Sequence, residues 1–178
     1  MPFTYLGLPV GISKPRMEHL MPLVTCMERR MSSSSSFLAQ GGRLQYLNSA
    51  MSSLPIFFLC ILSIPPGILK QLEWIQRQCF WRRNRQEHSP SLAAWELICR
   101  PKKKGGFGIL NLGLQNAALL MKHANKFLNR KDLPWVNLIW NTYYHERVPQ
   151  GTEPCGSYWW RNILKLLDNF REVTWGAT

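Results

Sequence analysis

Apolar positions in this chain fall mostly three and four residues apart, and that spacing predicts helices along nearly its whole length. Met17, Leu20, Met21, Val24, Met27 and Met31 form one such stripe. Lys14-Pro15 opens it, since proline suits the first turn of a helix. Five serines, Ser32 to Ser36, interrupt the stripe. Serine hydroxyls compete for backbone groups, so the run reads as a weak helical segment or as a mobile point. Gly41-Gly42 is expected to break the chain, and Leu44, Leu47, Met51 and Leu54 make a short amphipathic helix after it. Beyond Pro65-Pro66-Gly67 a longer helix buries Ile68, Leu69, Leu72, Ile75, Cys79 and Phe80. It turns Lys70, Glu73, Arg77 and Gln78 away, with Glu73 and Arg77 spaced to pair.

Asn84 to Pro90 reads as a polar loop, Ser91 to Cys99 as a short helix, and Arg100 to Gly106 as a cationic turn. From Leu114 to Arg130 the pattern is helical again, with Leu114, Ala117, Ala118, Met121 and Leu128 inward. Lys122, Lys126 and Asn129 share its polar stripe. Asp132 is the expected N-cap of a helix carrying Trp135, Leu138, Ile139 and Tyr143. Ser157 is the expected cap of a last helix carrying Trp160, Ile163, Leu164 and Leu167. Only Phe3 to Val10 reads as extended, ahead of a turn at Gly11, and it is expected to stand as an orphan strand. No repeat at a solenoid period occurs. The pattern predicts a mainly α protein, an irregular multi-helix bundle with a short N-terminal extended segment.

Composition sharpens this picture. The chain has 178 residues, 46% of them hydrophobic, enough for one large or two small domains. The net charge is +12, and it is unevenly spread. Residues 67–131 carry thirteen cations and three anions, a net of +10. Such a concentrated positive segment is the usual footprint of a polyanion partner. A solvated basic face, or one that meets acidic parts of a larger parent, is the competing explanation.

Cys26, Cys60, Cys79, Cys99 and Cys155 show no metal-binding spacing, and no His pair sits at finger spacing, which argues against structural zinc. They are expected to be reduced and buried in an intracellular protein, nuclear or cytoplasmic and not secreted, since no charged-then-apolar leader opens the chain. The longest apolar stretch, Leu54 to Ile64, is well short of the roughly 20 residues that span a bilayer.

Two-metal nucleotidyl transfer needs clustered carboxylates. This chain has two aspartates, Asp132 and Asp168, and no acidic constellation can be built around them. No catalytic, metal or cofactor site is expected. Gly105-Gly106-Phe107-Gly108 lacks the lysine-serine/threonine ending of a P-loop, and a tight turn needing positive φ explains it better than a nucleotide cradle. His19, His88, His123 and His145 show no paired spacing and read as surface or capping residues.

The positive signal is Arg82-Arg83-Asn84-Arg85 and Lys102-Lys103-Lys104, with Lys122 and Lys126 on the later helix. Such side chains bind phosphates and release counterions. Trp81, Trp95 and Phe107 lie nearby in sequence, where flat rings stack on bases, although Trp81 and Trp95 fit a packed core better.

Several short stretches carry a family resemblance. They include Phe3-Thr4-Tyr5-Leu6-Gly7-Leu8-Pro9, Gly41-Gly42-Arg43-Leu44, Ser52-Ser53-Leu54-Pro55 and Cys79-Phe80-Trp81-Arg82. Others are Cys99-Arg100-Pro101-Lys102, Gly105-Gly106-Phe107-Gly108-Ile109, Asn116-Ala117-Ala118-Leu119-Leu120 and Gly156-Ser157-Tyr158-Trp159-Trp160. In order and spacing the chain resembles the region after the palm of plant non-LTR, LINE-type retrotransposon reverse transcriptases. The resemblance implies a remnant of a palm-edge strand over 1–11, a thumb-like helical region over 12–90 and a helical connector over 91–178. It implies that the catalytic aspartates and the endonuclease lie before this stretch, that the zinc segment of many relatives lies after it, and that the palm is a natural partner. It also implies a grip on the primer–template duplex, and makes Arg43 either a phosphate contact or a fold-stabilising residue. The expected function is catalytically silent, sequence-independent binding of RNA or DNA, including RNA–DNA hybrid. A co-opted host RNA- or DNA-binding protein and an unselected translated remnant are the alternatives.

Overall fold

The computed structural model describes residues 3–5, 7–10, 14–34, 38–81, 91–144 and 156–175, and helices dominate among them. At the N-terminus, strands β1 (Phe3–Tyr5) and β2 (Leu8–Val10) pair antiparallel, with Phe3 opposite Val10 and Tyr5 opposite Leu8. The expected orphan strand is therefore a hairpin folded on itself. Gly7, at φ +80°, sits in the left-handed region that such tight connections demand.

The chain gathers into two compact units. One comprises Met1–Pro15, Cys60–Ser63 and Asn116–Thr178; the other comprises Arg16–Leu59 and Ile64–Gln115. They interleave along the chain rather than meeting at a single boundary.

In the second unit a 3-10 turn (Met17–Leu20) leads into α1 (Met21–Ser34). Helix α2 (Gln40–Tyr46) runs on through a π turn (Leu47–Met51), and α3 (Ile56–Ile61) precedes the long α4 (Pro66–Trp81). Helices α1 and α2 pack against α4. Leu20, Leu23, Val24, Met27, Leu47 and Met51 are buried, as are Ile68, Leu72, Ile75, Cys79 and Phe80 of α4. Five of the six residues expected on the α4 stripe are thus inside, and Leu69 is half-buried. On α1 the stripe is displaced: Met17 and Met21 are exposed and Leu23 is buried in their stead. Ser32 to Ser34 continue α1, while Ser35 and Ser36 lie outside the described residues.

The glycine pair does not break the chain, because Gly41 and Gly42 both lie inside α2. Each costs about 1 kcal/mol of helix propensity relative to alanine. Packing against α4 outweighs that, and position 42 is close quarters: a Cβ there would lie 3.3 Å from Leu38 Cδ2. Gln76 was not foreseen inside; it is wholly buried on α4, and its amide nitrogen and oxygen have no hydrogen-bond partner.

The first unit is built on α6 (Leu112–Leu128) from Asn116 onward, α7 (Pro134–Ile139) with its π-turn continuation (Trp140–Tyr144), and α8 (Tyr158–Trp175). Its core holds Ala124, Phe127, Val136, Tyr144, Trp160, Ile163, Leu164 and Leu167, so all four residues expected inward on α8 are there. The Ser157 Oγ accepts the Trp160 N–H at 3.3 Å, the expected cap. The Trp160 indole N–H donates to the Tyr144 hydroxyl at 2.9 Å, and its ring lies 4.5 Å from that of Phe127.

Helix α6 is rotated from the expected face. Leu119, Leu120, Ala124 and Phe127 point inward with Asn116, while Leu114 is 73% exposed and Ala118 is also outside. The buried Asn116 is the reason: its amide donates to the Leu62 carbonyl at 2.8 Å, a polar position on an apolar face. About two turns later, His123 Nε2 lies 3.0 Å from the Cys60 carbonyl. Asp132 is not the α7 N-cap. Leu133 holds that place ahead of Pro134, and Asp132 Oδ1 accepts from the Asn137 amide at 3.0 Å instead. Leu138 and Tyr143, expected inside, are exposed. Helix α5 covers only Trp95–Ile98, and Asn84 to Pro90 lie outside the described residues. Cys26 is exposed rather than buried, Cys79 is buried, and Cys60 and Cys99 are half-buried; all four are free thiols. Cys155 lies outside the described residues.

Candidate nucleic-acid interface

The lysine triplet sits on a tightly bonded turn. Pro101 follows α5, and Lys102–Lys104 form a single 3-10 turn closed by Gly105 at φ +80°. The Lys104 N–H donates to the Pro101 carbonyl at 2.8 Å, Gly105 to Lys102 at 3.1 Å and Gly106 to Pro101 at 3.3 Å. Phe107 then donates to Ile98 at 3.0 Å and Gly108 to Arg100 at 2.9 Å. Gly106 is there because nothing larger fits: a Cβ would lie 2.0 Å from the Arg100 carbonyl oxygen. With its backbone donors turned inward, the glycine loop does not cradle a phosphate. What it presents outward is three exposed lysine side chains. Phe107 is 47% exposed beside them, with its ring 5.7 Å from that of Phe80.

In the other unit, Lys122 and Lys126 are exposed one turn apart on α6, as the polar stripe predicted. Beyond them, Arg130 stands with its guanidinium carbon 4.3 Å from the Trp140 ring centre, and Lys131 is exposed next to it. Neither Arg130 nor Lys131 was singled out from sequence. The available signal was a run of basic residues at the end of a helix, where cations also complement the helix dipole.

Arg43 differs from the lysines. It is 6% exposed, and its Nε donates to the Leu38 carbonyl at 2.9 Å. Of the two readings of this residue, the geometry carries the fold-stabilising one. Arg82, Arg83 and Arg85 lie outside the described residues. Trp95 is buried with Arg77 5.7 Å over its ring, and Trp81 is half-buried, so both indoles belong to packing.

A charged group forms around that tryptophan. Burial pushes the Glu73 carboxyl above its ordinary range; Arg77 offsets part of this and Glu96 adds to it. The Cys99 thiol is pushed up to about 11, by burial first and then by Glu73 and Glu96, against Arg77. Among the described residues no three His, Cys, Asp or Glu side chains gather into a metal-holding group. Likewise, no described helix is long and apolar enough to cross a membrane.

The fold and this surface define a mainly α protein that displays basic turns and helix ends. Its similarities lie among plant proteins. Over 130 residues, 71% of its length, the chain is 28% identical to an Arabidopsis thaliana protein named for ribonuclease H, of which that match covers 21%. Over 117 residues, 63% of its length, it is 26% identical to an uncharacterised mitochondrial protein of Arabidopsis thaliana, covering 75% of that relative. The chain thus spans about a fifth of the first relative's length and three quarters of the second's. No family model matches the chain, and no solved structure matches it.

Proposed function

We propose that this chain is a plant retrotransposon-derived segment, the helical region after the palm of a LINE-type reverse transcriptase. In this reading it binds nucleic-acid backbone without base preference and catalyses no reaction. One observation carries the proposal: three consecutive exposed lysines stand on a turn in which the N–H groups of Lys104, Gly105, Gly106, Phe107 and Gly108 are engaged internally. Such a turn offers a concentrated charge on a fixed base, suited to backbone phosphates. Phosphate contacts of this kind position a duplex and carry no sequence information. The motifs shared with the reverse transcriptases support the parentage. So does the ribonuclease H name of the longer relative.

The test is a salt titration with duplex DNA and RNA–DNA hybrid. Changing Lys102, Lys103 and Lys104 together to Gln removes up to three phosphate contacts, lowering the slope of log Kobs against log salt by at most about 2.7. Helical content stays the same, because all three side chains point outward. Hybrid binds at least as well as DNA. Absence of binding at low salt, or binding unchanged by the triple substitution, refutes the reading.

A further inference from the structure

We propose that Arg130 is a phosphate-binding residue for nucleic acid, held ready by Trp140 and flanked by Lys126 and Lys131; this rests on the nucleic-acid reading above. The backbone supplies the first observation. Arg130 has φ +43° and is the only non-glycine residue in the left-handed region among the described residues. The Arg130 N–H donates to the Phe127 carbonyl at 3.0 Å, and the Lys131 N–H to the Lys126 carbonyl at 3.1 Å. Those two bonds are the Schellman closure of α6, and the position Arg130 occupies is the one that favours glycine most strongly. An arginine there is kept against the local preference.

The side chain supplies the second. Trp140 is fixed from below: its ring stacks on Phe127 at 4.7 Å and 6°, and its indole N–H donates to the Phe127 carbonyl at 3.1 Å. The guanidinium carbon of Arg130 lies 4.3 Å from the centre of the Trp140 ring, and the residue is exposed. Stacking occupies one face of the group and leaves its N–H donors, which lie around the edge, pointing outward. No hydrogen bond joins them to another described residue. Asp132, the nearest acid in sequence, has an oxygen engaged by Asn137. The exposed Lys122, Lys126 and Lys131 stand on the same stretch of chain. A planar donor edge, held over a ring and with cations at neighbouring positions of the chain, fits a phosphodiester oxygen pair.

Arg130→Gly separates this role from a structural one, because glycine relieves the left-handed strain while removing the guanidinium. The full chain and the variant are titrated with a short fluorescein-labelled RNA–DNA hybrid across a salt series, and both are melted by circular dichroism. The expected variant melts no lower than the parent and binds about tenfold more weakly, a loss of one charge-assisted contact. Its salt slope falls by about one. Trp140→Phe keeps every cation, so the slope is retained while affinity drops because the arginine is less firmly held. An Arg130→Gly protein that binds like the parent, while the triple lysine variant binds weakly, overturns the Arg130 assignment and leaves the general reading standing. A variant that melts well below the parent makes Arg130 a structural cap and overturns the assignment too. A parent that does not bind overturns both.

Discussion

Replacing Gly106 by alanine is the sharpest test of the lysine turn. The new Cβ lies 2.0 Å from the Arg100 carbonyl oxygen, 2.5 Å from its carbon and 2.7 Å from the Arg100 Cα, all backbone atoms. Ordinary contact begins at 3.4 Å, so the loop or the end of α5 moves by more than an ångström. Three hydrogen bonds are at stake, those of Gly106 to Pro101, Phe107 to Ile98 and Gly108 to Arg100. At about 1 kcal/mol each the ceiling is about 3 kcal/mol, and an exposed loop that regains water brings the expectation to about 2 kcal/mol. Gly105→Ala is the control. Gly105 has φ +80° but open space around its Cβ, so only the left-handed penalty of about 1 kcal/mol applies. Urea unfolding followed by circular dichroism ranks the two, and trypsin cuts faster at Lys102–Lys104 in the Gly106 variant as the turn opens. Equal midpoints, or Gly105→Ala the worse of the two, refute the view that close backbone approach makes Gly106 necessary.

Gly41→Ala works in the opposite direction: position 41 is helical with nothing within 4 Å of a Cβ, so stability rises by about 0.5–1 kcal/mol. A melting temperature about 1–4 °C higher is the expected reading, and a drop speaks against the continuous α2. Alkaline pH weakens the fold, because burial pushes the Cys79 and Cys99 thiols up to about 11 from 9.0. The folded chain then holds protons that the unfolded chain has released, so stability present below pH 9 falls as pH rises toward 11. Cys99→Ala removes part of that dependence in urea midpoints taken at pH 8 and 10, and an unchanged slope counts against the assignment.

Helices α4 and α8 were legible because their apolar residues follow the helical period without interruption. A polar residue inside the core is hidden from such a pattern, at one position on α4, Gln76, and across a whole face on α6. Asn116 disguised the inner face of α6, and attention moved to Leu114, which is exposed. Propensity misled at Gly41-Gly42, since tertiary contacts override a preference of about 1 kcal/mol. The hairpin was missed because three-residue strands are too short to show alternation, and only Gly7 signalled the turn. Of the candidate interface, the exposed lysines were readable directly from charge. Arg43 was ambiguous in sequence because a residue at a helix start serves a phosphate or its own fold equally well. For Arg130 the only signal was the basic run at the end of α6, and nothing in the sequence marks its left-handed backbone, a conformation its side chain disfavours.

The π turn at Trp140–Tyr144 makes the aromatic core a matter of phase. A π turn holds one residue more than the α ladder requires. Removing one residue there lets the helix close as a regular α turn, with the residues on either side kept in phase. The Tyr144 hydroxyl, which meets the Trp160 indole at 2.9 Å, then keeps its side of the helix, whereas the same deletion within the regular α7 turns it by about 100°. Exposed positions such as Asn141 and Thr142 are free to change identity, and one residue of that turn is also free to go. Descendants of this sequence can therefore drift in composition and lose a codon across the π turn, while a codon lost from Pro134–Ile139 re-sorts the partners of its core.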